Sequence, residues 1–471
     1  MPKYKKNNFN DKMDNISLSH DMLNILKEKY ENNQIVKIIA HSIRQNGINN
    51  TCKNSNILCS LVHEFSNKTK IECIATDQKN SGRCWIFSAT NVIRQKLIQE
   101  YNLSNNFELS QSYLFFCDKL ERSNYFIEKI IETKKQPLDS RLIMHLLHEP
   151  IQDGGQWDMV VNLIKKYGLV PKTVYPETHC SCNSKMLNNI LNKLLRGFAY
   201  RIREFQYDGT KVEMKQEMMD DVYRILCMHL GEPPLTFGWK YLDTKEKFHR
   251  YENITPQQFY QKYVKPFYNI DEKICIIHIP EPYKLSNQLY TVKYLGNVIE
   301  GYAVRYINIK DINVMKKAII DSIKNNEAVW FGCDVGKYFD PISGILDINL
   351  YPYDQCYQTD MDNILNNKGL RMAYGESQMT HAMIFTGVDI KENKNNEKEE
   401  KKMYIQWKVE NSWSDKIGNK GYLVMSDCWF DQFVYEIVVD KKYVPKNVLE
   451  ILNQDPIELD PWDPCGALAS D

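Results

Sequence analysis

Two apolar rhythms divide this chain, and their order restricts its possible folds more than any other feature. Up to about residue 265, apolar side chains recur at steps of three and four, the period of a helix face. Ala89, Val92, Ile93, Leu97 and Tyr101 form one such stripe directly after Cys84. Leu187, Ile190, Leu191, Leu194, Leu195 and Phe198 form a second, and Met218, Val222, Ile225 and Leu226 a third. Helices are also predicted over 17–30 and over 157–167, the latter closed by Gly168 with Pro171 just beyond. Asp311 is placed to cap a helix running to about Asn325. Runs of β-branched and aromatic residues follow: 328-AVWFGCDV, 383-MIFTGV, 403-MYIQWKVE and 434-VYEIVV. The mixed-charge run 391-KENKNNEKEEKKM reads as a solvated hairpin loop between two of them. Helices first and strands later imply an α+β protein and not alternating βαβ units.

Composition narrows the function classes. With 471 residues, 43% apolar, the chain is long enough for two or three modules around a substantial core. Sixty basic residues balance sixty acidic ones, which argues against a nucleic-acid or anionic-membrane binder. No run approaches the ~18 apolar residues of a membrane helix. The opening MPKYKKNNFNDKMDN lacks the apolar core of a secretory signal. A cytoplasmic location is therefore expected, with the 13 cysteines reduced. The cluster 179-HCSC has no second ligand pair, and no phosphate-binding glycine loop is present, so neither metal nor cofactor is expected. His145 and His148 read as structural.

The chemistry concentrates in three segments. In 77-DQKNSGRCWIFSATN, Gly82 permits a tight turn and Cys84 opens an amphipathic helix. A thiol there meets unpaired backbone N–H groups and the positive end of the helix dipole, both of which favour a nucleophilic thiolate. Gln78, six residues upstream, carries an amide N–H that can join the Cys84 N–H in holding an oxyanion. Such a donor is worth ~2.7–4 kcal/mol of barrier. His381, opening a strand-like run in 377-SQMTHAMIFTGV, is the candidate base. Asn411, in 409-VENSWSDKIGNKGYLVM, can accept from one ring nitrogen and leave the other facing the sulfur. Trp413 is placed to roof that hydrogen bond.

These segments resemble the papain-type cysteine peptidases: 78-QKNSGRCWIFS matches the nucleophile region and 411-NSWSDKIGNKGY the asparagine region. Within that clan, 138-LDSRLIMHLLHEPIQDGGQWDMVVNLIKKYGLVPK, 329-VWFGCDVGKYF, 375-GESQMTHAMIFTGV and 461-PWDPCGALA resemble the bleomycin hydrolase family (peptidase family C1B), from about residue 60 onward. Cys84 and His381 are 297 positions apart, where papain-like domains have ~130–150. The excess is expected as a helical insertion. Ser81 stands where papain has a half-cystine.

The resemblance implies a papain-like fold divided into a tail and helical segment (1–60), a helical half with Cys84 (61–190), a helical insertion (191–310), a β half with His381 and Asn411 (311–445) and a C-terminal arm (446–471). It implies a cysteine aminopeptidase acting on peptides and small amides, assembled as a homohexamer. The arm, 460-DPWDPCGALASD, would lie in the cleft, with its carboxylate meeting the α-ammonium of the substrate. Ala469, Ser470 and Asp471 are then substrate-binding, together with Gly154, Gly155 and Trp413. The family arm usually stops one residue after Ala-Leu-Ala, so Asp471 is expected to be self-trimmed, or the register shifted. Ser414 replaces a glycine common at that turn. A papain-like endopeptidase and a non-catalytic binding ring are the rival readings.

Overall fold

The computed structural model describes residues 17–204, 211–361, 365–392 and 403–466. It divides into two compact units: 1–54 with 351–364, and 55–350 with 365–471.

In the first unit, helix His20–Asn32 begins at Ser19, whose hydroxyl accepts from the Met22 N–H, and Asn33 caps a second helix, Gln34–Asn46. Neither buries a residue. Cys52 and Cys356, 304 positions apart, are joined by a disulfide. This corrects the expectation that every cysteine is reduced; the other cysteines are free thiols. Local sequence gave no sign of a pairing made by chain folding over that distance.

The second unit carries the Cys84, His381 and Asn411 segments. Helices Cys84–Tyr101 and Trp157–Tyr167 match the predictions, and a helix not predicted, Gln111–Glu132, lies between them in the chain. Gly168 ends the third with φ +77°, and a β-carbon there would strike the Pro256 carbonyl, so glycine is required twice over. The strands are β1 (Asn67–Lys68), β2 (Phe237–Leu242), β3 (Phe248–Ile254), β4 (Lys273–Ile277), β5 (Gln288–Val292), β6 (Tyr306–Asn308), β7 (Val329–Cys333), β8 (Phe339–Asp340), β9 (Ile345–Leu346), β10 (His381–Glu392), β11 (Met403–Glu410), β12 (Tyr422–Ser426), β13 (Val434–Asp440) and β14 (Ile457–Leu459). One sheet runs β14-β5-β6-β4-β13-β7-β10-β11-β12-β9-β8, with β1 on β10, and β2–β3 form a separate hairpin.

Alternation along the central strands sorts two cores. Trp330, Ile384 and Val438 face the nucleophile helix. Phe331, Phe385 and Ile437 face helices Asn313–Lys324 and Asp427–Phe433. Asp311 accepts from the Asn313 N–H, at the predicted helix start. The charged run falls between β10 and β11, paired Glu392 to Met403, with 393–402 outside the described residues.

The stretch 191–310 differs from the helical expectation. After helices Lys185–Glu204 and Lys211–Leu230 it holds β2 to β6, and β4, β5 and β6 belong to the large sheet. Those three strands are five, five and three residues long. Such short runs fall below what a periodicity window resolves, and the sheet recruits them through backbone pairing with β13 and β14.

Candidate active site

Cys84 opens its helix after the turn at Ser81 and Gly82. That turn is tied down by charge. The Asp153 carboxylate accepts from the Gly82 N–H at 3.0 Å, pairs with Lys119 at 2.7 Å, and accepts from Ser184 and from Asn188. The Asp153 carbonyl accepts from the Trp85 indole at 2.7 Å, so one residue grips the chain on both sides of Cys84. Burial opposes the charge, but Lys119, Ser184 and Asn188 hold the Asp153 carboxyl well below the usual carboxylate range. Arg83 is fixed by Glu177 at 2.9 Å and by the Ser81 hydroxyl.

On the sheet side, His381 begins β10 opposite Cys333 of β7. Its Nε2 lies 2.8 Å from the Asn411 Oδ1, which leaves Nδ1 for the thiol. The Trp413 ring lies 4.5 Å from the imidazole, centroid to centroid. Asn411 follows Glu410, whose carboxylate pairs with Arg94 of the nucleophile helix at 2.7 Å, both fully buried. The Ser88 hydroxyl, one turn beyond Cys84, donates to the Ala382 carbonyl at 2.8 Å. The backbone N–H of Ala382, the residue after His381, is among the groups that favour ionisation of Cys84.

Gln78 has its side chain locked between halves. Its Oε1 accepts from the Ser412 hydroxyl and its Nε2 donates to the Ser81 carbonyl, both at 2.7 Å. The second N–H of that amide is left for a ligand. Gly155 packs against Trp85, where a β-carbon would come within 2.7 Å of the ring, and the Gly154 carbonyl accepts from Arg122. Close packing beside the nucleophile therefore already demands Gly155. A cleft of about 330 Å³ is lined by Gln152, His145, Gln378, Trp462 and Gly466, among others. Ala469, Ser470 and Asp471 lie outside the described residues.

Cys84 is fully buried, and burial pushes its thiol up to about 12, although the N–H groups of Ala382, Trp85 and Cys84 favour ionisation. Burial likewise lowers His381 to about 4, outweighing the Asn411 hydrogen bond. Burial thus opposes the charged form of both groups, against the pull of the helix-end N–H groups on one and of the Asn411 hydrogen bond on the other.

The sequence reading missed Asp153, Ser412 and the Arg94–Glu410 pair. An acid beside two glycines looks like a solvated turn, and nothing local marks its distant partners. The 179-HCSC cluster forms a short capped helix, with Cys180 3.2 Å from His229 Nδ1. Among the described residues no group of three or more metal-ligating side chains converges, and no helix is long and apolar enough to cross a membrane.

The profile of the Peptidase C1-like family matches residues 17–466. The chain belongs to that family. Mouse (Mus musculus) bleomycin hydrolase is 47% identical over 400 residues, covering 84% of this chain and 86% of its own. Aminopeptidase C of Listeria monocytogenes is 42% identical over 455 residues, 96% of this chain and 99% of its own. The crystal structure of PepW from Lactobacillus rhamnosis superimposes with a TM-score of 0.89 at 42% identity, covering 96% and 99% of the two chains. The fold is thus that of the papain-like C1 peptidases, and this member is a cysteine-type aminopeptidase of bleomycin hydrolase type.

Proposed function

We propose that this enzyme removes single N-terminal residues from peptides, and hydrolyses small amides, through an acyl-enzyme on Cys84. The observation that carries the reading is the His381 Nε2–Asn411 Oδ1 hydrogen bond of 2.8 Å, which leaves the other ring nitrogen, Nδ1, to take the proton of a thiol. The Cys84 proton passes to His381 Nδ1, and the sulfur attacks the substrate carbonyl carbon. The Cys84 N–H and the free Gln78 amide N–H hold the oxyanion. The imidazolium then protonates the departing amine as the C–N bond breaks. Water, deprotonated by the same nitrogen, hydrolyses the thioester and restores the thiol.

Selection of a free N-terminus is assigned to the carboxylate of the C-terminal arm, with Ala469, Ser470 and Asp471 beside the substrate. Opposite charges at ~4 Å in a partly desolvated cleft bind without reading any side chain. Gly154 and Gly155 present backbone to the peptide next to Trp85. Trimming of Asp471 by the enzyme itself is checked by intact mass; a chain keeping all 471 residues after long incubation overturns it. The setting proposed is cytoplasmic, with no cofactor and no membrane or nucleic-acid partner. A homohexamer is supported by the apolar side chains that helices His20–Asn32 and Gln34–Asn46 leave exposed, Leu23, Ile25, Leu26 and Ile38 among them. The test is turnover of a fluorogenic aminoacyl amide with its α-amino group free or acetylated, in reducing buffer. Cleavage of the free form alone is expected; equal cleavage of both rejects the aminopeptidase assignment.

A further inference from the structure

The reaction at Cys84 leaves a second cysteine–histidine pair unused. The Cys180 sulfur lies 3.2 Å from His229 Nδ1, within hydrogen-bond range. Both residues are half-buried, neither sealed in the core. His229 stands in the last turn of helix Lys211–Leu230, an end whose carbonyls favour a positive charge.

Cys180 belongs to a four-residue helix, His179–Cys182, that is stitched to the turn before the nucleophile. At its N-cap the Thr178 hydroxyl accepts from the Ser181 N–H at 3.1 Å and donates to the His229 carbonyl at 3.0 Å. Glu177 accepts from the Ser181 hydroxyl and pairs with Arg83, the residue before Cys84, at 2.9 Å. The Cys182 carbonyl accepts from the Asn80 N–H at 3.0 Å. The Ser184 hydroxyl donates to Asp153, whose carboxylate holds Gly82. One short helix thus has His229 on one side and residues 80–83 on the other. A single helical turn has few internal bonds, so its position depends on these outer partners. A group attached to the Cys180 sulfur cannot share the 3.2 Å gap with the His229 ring, so ring or helix must give way. A shift of the helix is then passed to the turn that presents Cys84.

We propose that Cys180 is a modification site that takes up half of a small-molecule disulfide of the glutathione disulfide type, with His229 as its base, and that the adduct slows the peptidase through the turn before Cys84. The Cys180 proton passes to His229 Nδ1 and the sulfur attacks one sulfur of the disulfide. That S–S bond breaks as the new one forms, and the expelled thiolate takes the proton from His229. Cys180 is oxidised and the expelled half is reduced, so the exchange needs no other oxidant, and excess small thiol reverses it.

In the test, the full-length enzyme is incubated with glutathione disulfide. Each thiol is followed by peptide mass mapping against Cys59, an exposed cysteine on helix Ser55–Ser60. Cys180 is expected to form the mixed disulfide about tenfold faster than Cys59, and His229→Gln to abolish that lead. In the activity arm Cys84 is covered during the incubation by an aminoacyl aldehyde, which adds reversibly to its thiol and is dialysed away before assay. The kcat/KM for an alanyl fluorogenic amide is then expected to fall about fivefold in the parent, to recover with dithiothreitol and to stay unchanged in Cys180→Ser. A Cys180 rate no higher than that of Cys59 overturns the site, and that comparison needs no variant. A lead that survives in His229→Gln overturns His229 as the base. An equal fall in the parent and in Cys180→Ser, or none in either, overturns the link to the nucleophile turn.

Discussion

Asp153 and Glu436 are both carboxyls buried in the catalytic unit, one in the helical half and one on β13, and they behave in opposite ways. Asp153 has Lys119, the Gly82 N–H, Ser184 and Asn188 around it, and its ionised form prevails. Glu436 faces Gly332 and Met379, and neither of its oxygens has a nitrogen or oxygen partner among the described residues. Burial pushes its carboxyl up to about 8, with the Cys275 thiol offering a hydrogen bond and Asp158 adding repulsion. Burial alone does not fix the charge of a group; the partners brought in with it do. The helical half thus holds its nucleophile with paired charges. The sheet half holds its base with backbone register, the Asn411 hydrogen bond and aromatic contact, and tolerates a carboxyl without a charged partner.

The most direct way to break this contrast is Asp153→Asn. It leaves Lys119 buried without its counterion and loosens the turn before Cys84. A loss of ~3–5 kcal/mol in urea unfolding is expected, with kcat reduced in whatever remains folded. Its acid dependence follows from the lowered carboxyl: the stabilisation is full above the unfolded value near pH 4 and is lost as the pH falls through the lower folded value. The parent should therefore outlast Asp153→Asn by a margin that shrinks on acidification below about pH 4.

Asn411→Ala probes the other half, where geometry and not charge is at stake. The imidazole loses its orienting acceptor, and kcat is expected to fall about 10²-fold. Circular dichroism melting should shift little, since Trp413 still covers the ring. A large drop in melting temperature would mean that Asn411 supports the fold as Asp153 does, and the distinction would fail.

Glu436→Gln sharpens the comparison from the opposite direction. The folded protein keeps a proton that the unfolded chain releases between about pH 4.5 and 8, so stability declines as the pH rises through that window. The amide removes the decline, and a gain of about 1–3 kcal/mol at pH 8 is expected from melting across pH, vanishing near pH 4. Asp158, itself raised to about 6 by burial, leaves a smaller decline of the same sign in both proteins.

The smallest effect is Ser414→Gly. Ser414 holds φ +68° in the turn after Trp413, a left-handed conformation that a β-carbon resists. Glycine should add ~0.5–1 kcal/mol without altering kcat, because the turn is retained with less strain.

Much of this protein was legible before any coordinates. The helix after Cys84, the strands that carry His381 and Asn411, and the resemblance of their flanks to papain-type peptidases follow from short windows, because periodicity and turn chemistry are local. The sheet took β4, β5 and β6 from a stretch read as helical, because three short strands are defined by their neighbours and not by their own pattern. The Cys52–Cys356 bond joins positions 304 apart.

By itself the sequence determined which side chains are available and on what kind of element each sits. The tertiary structure decided their protonation and their supports. A helix N-terminus favours the Cys84 thiolate wherever it occurs, but the opposing desolvation depends on what covers the thiol. Asp153 and Glu436 carry the same functional group, and their neighbours, drawn from distant parts of the chain, make one a charge and the other an acid. Solvation is a property of packed volume, which no window of residues contains.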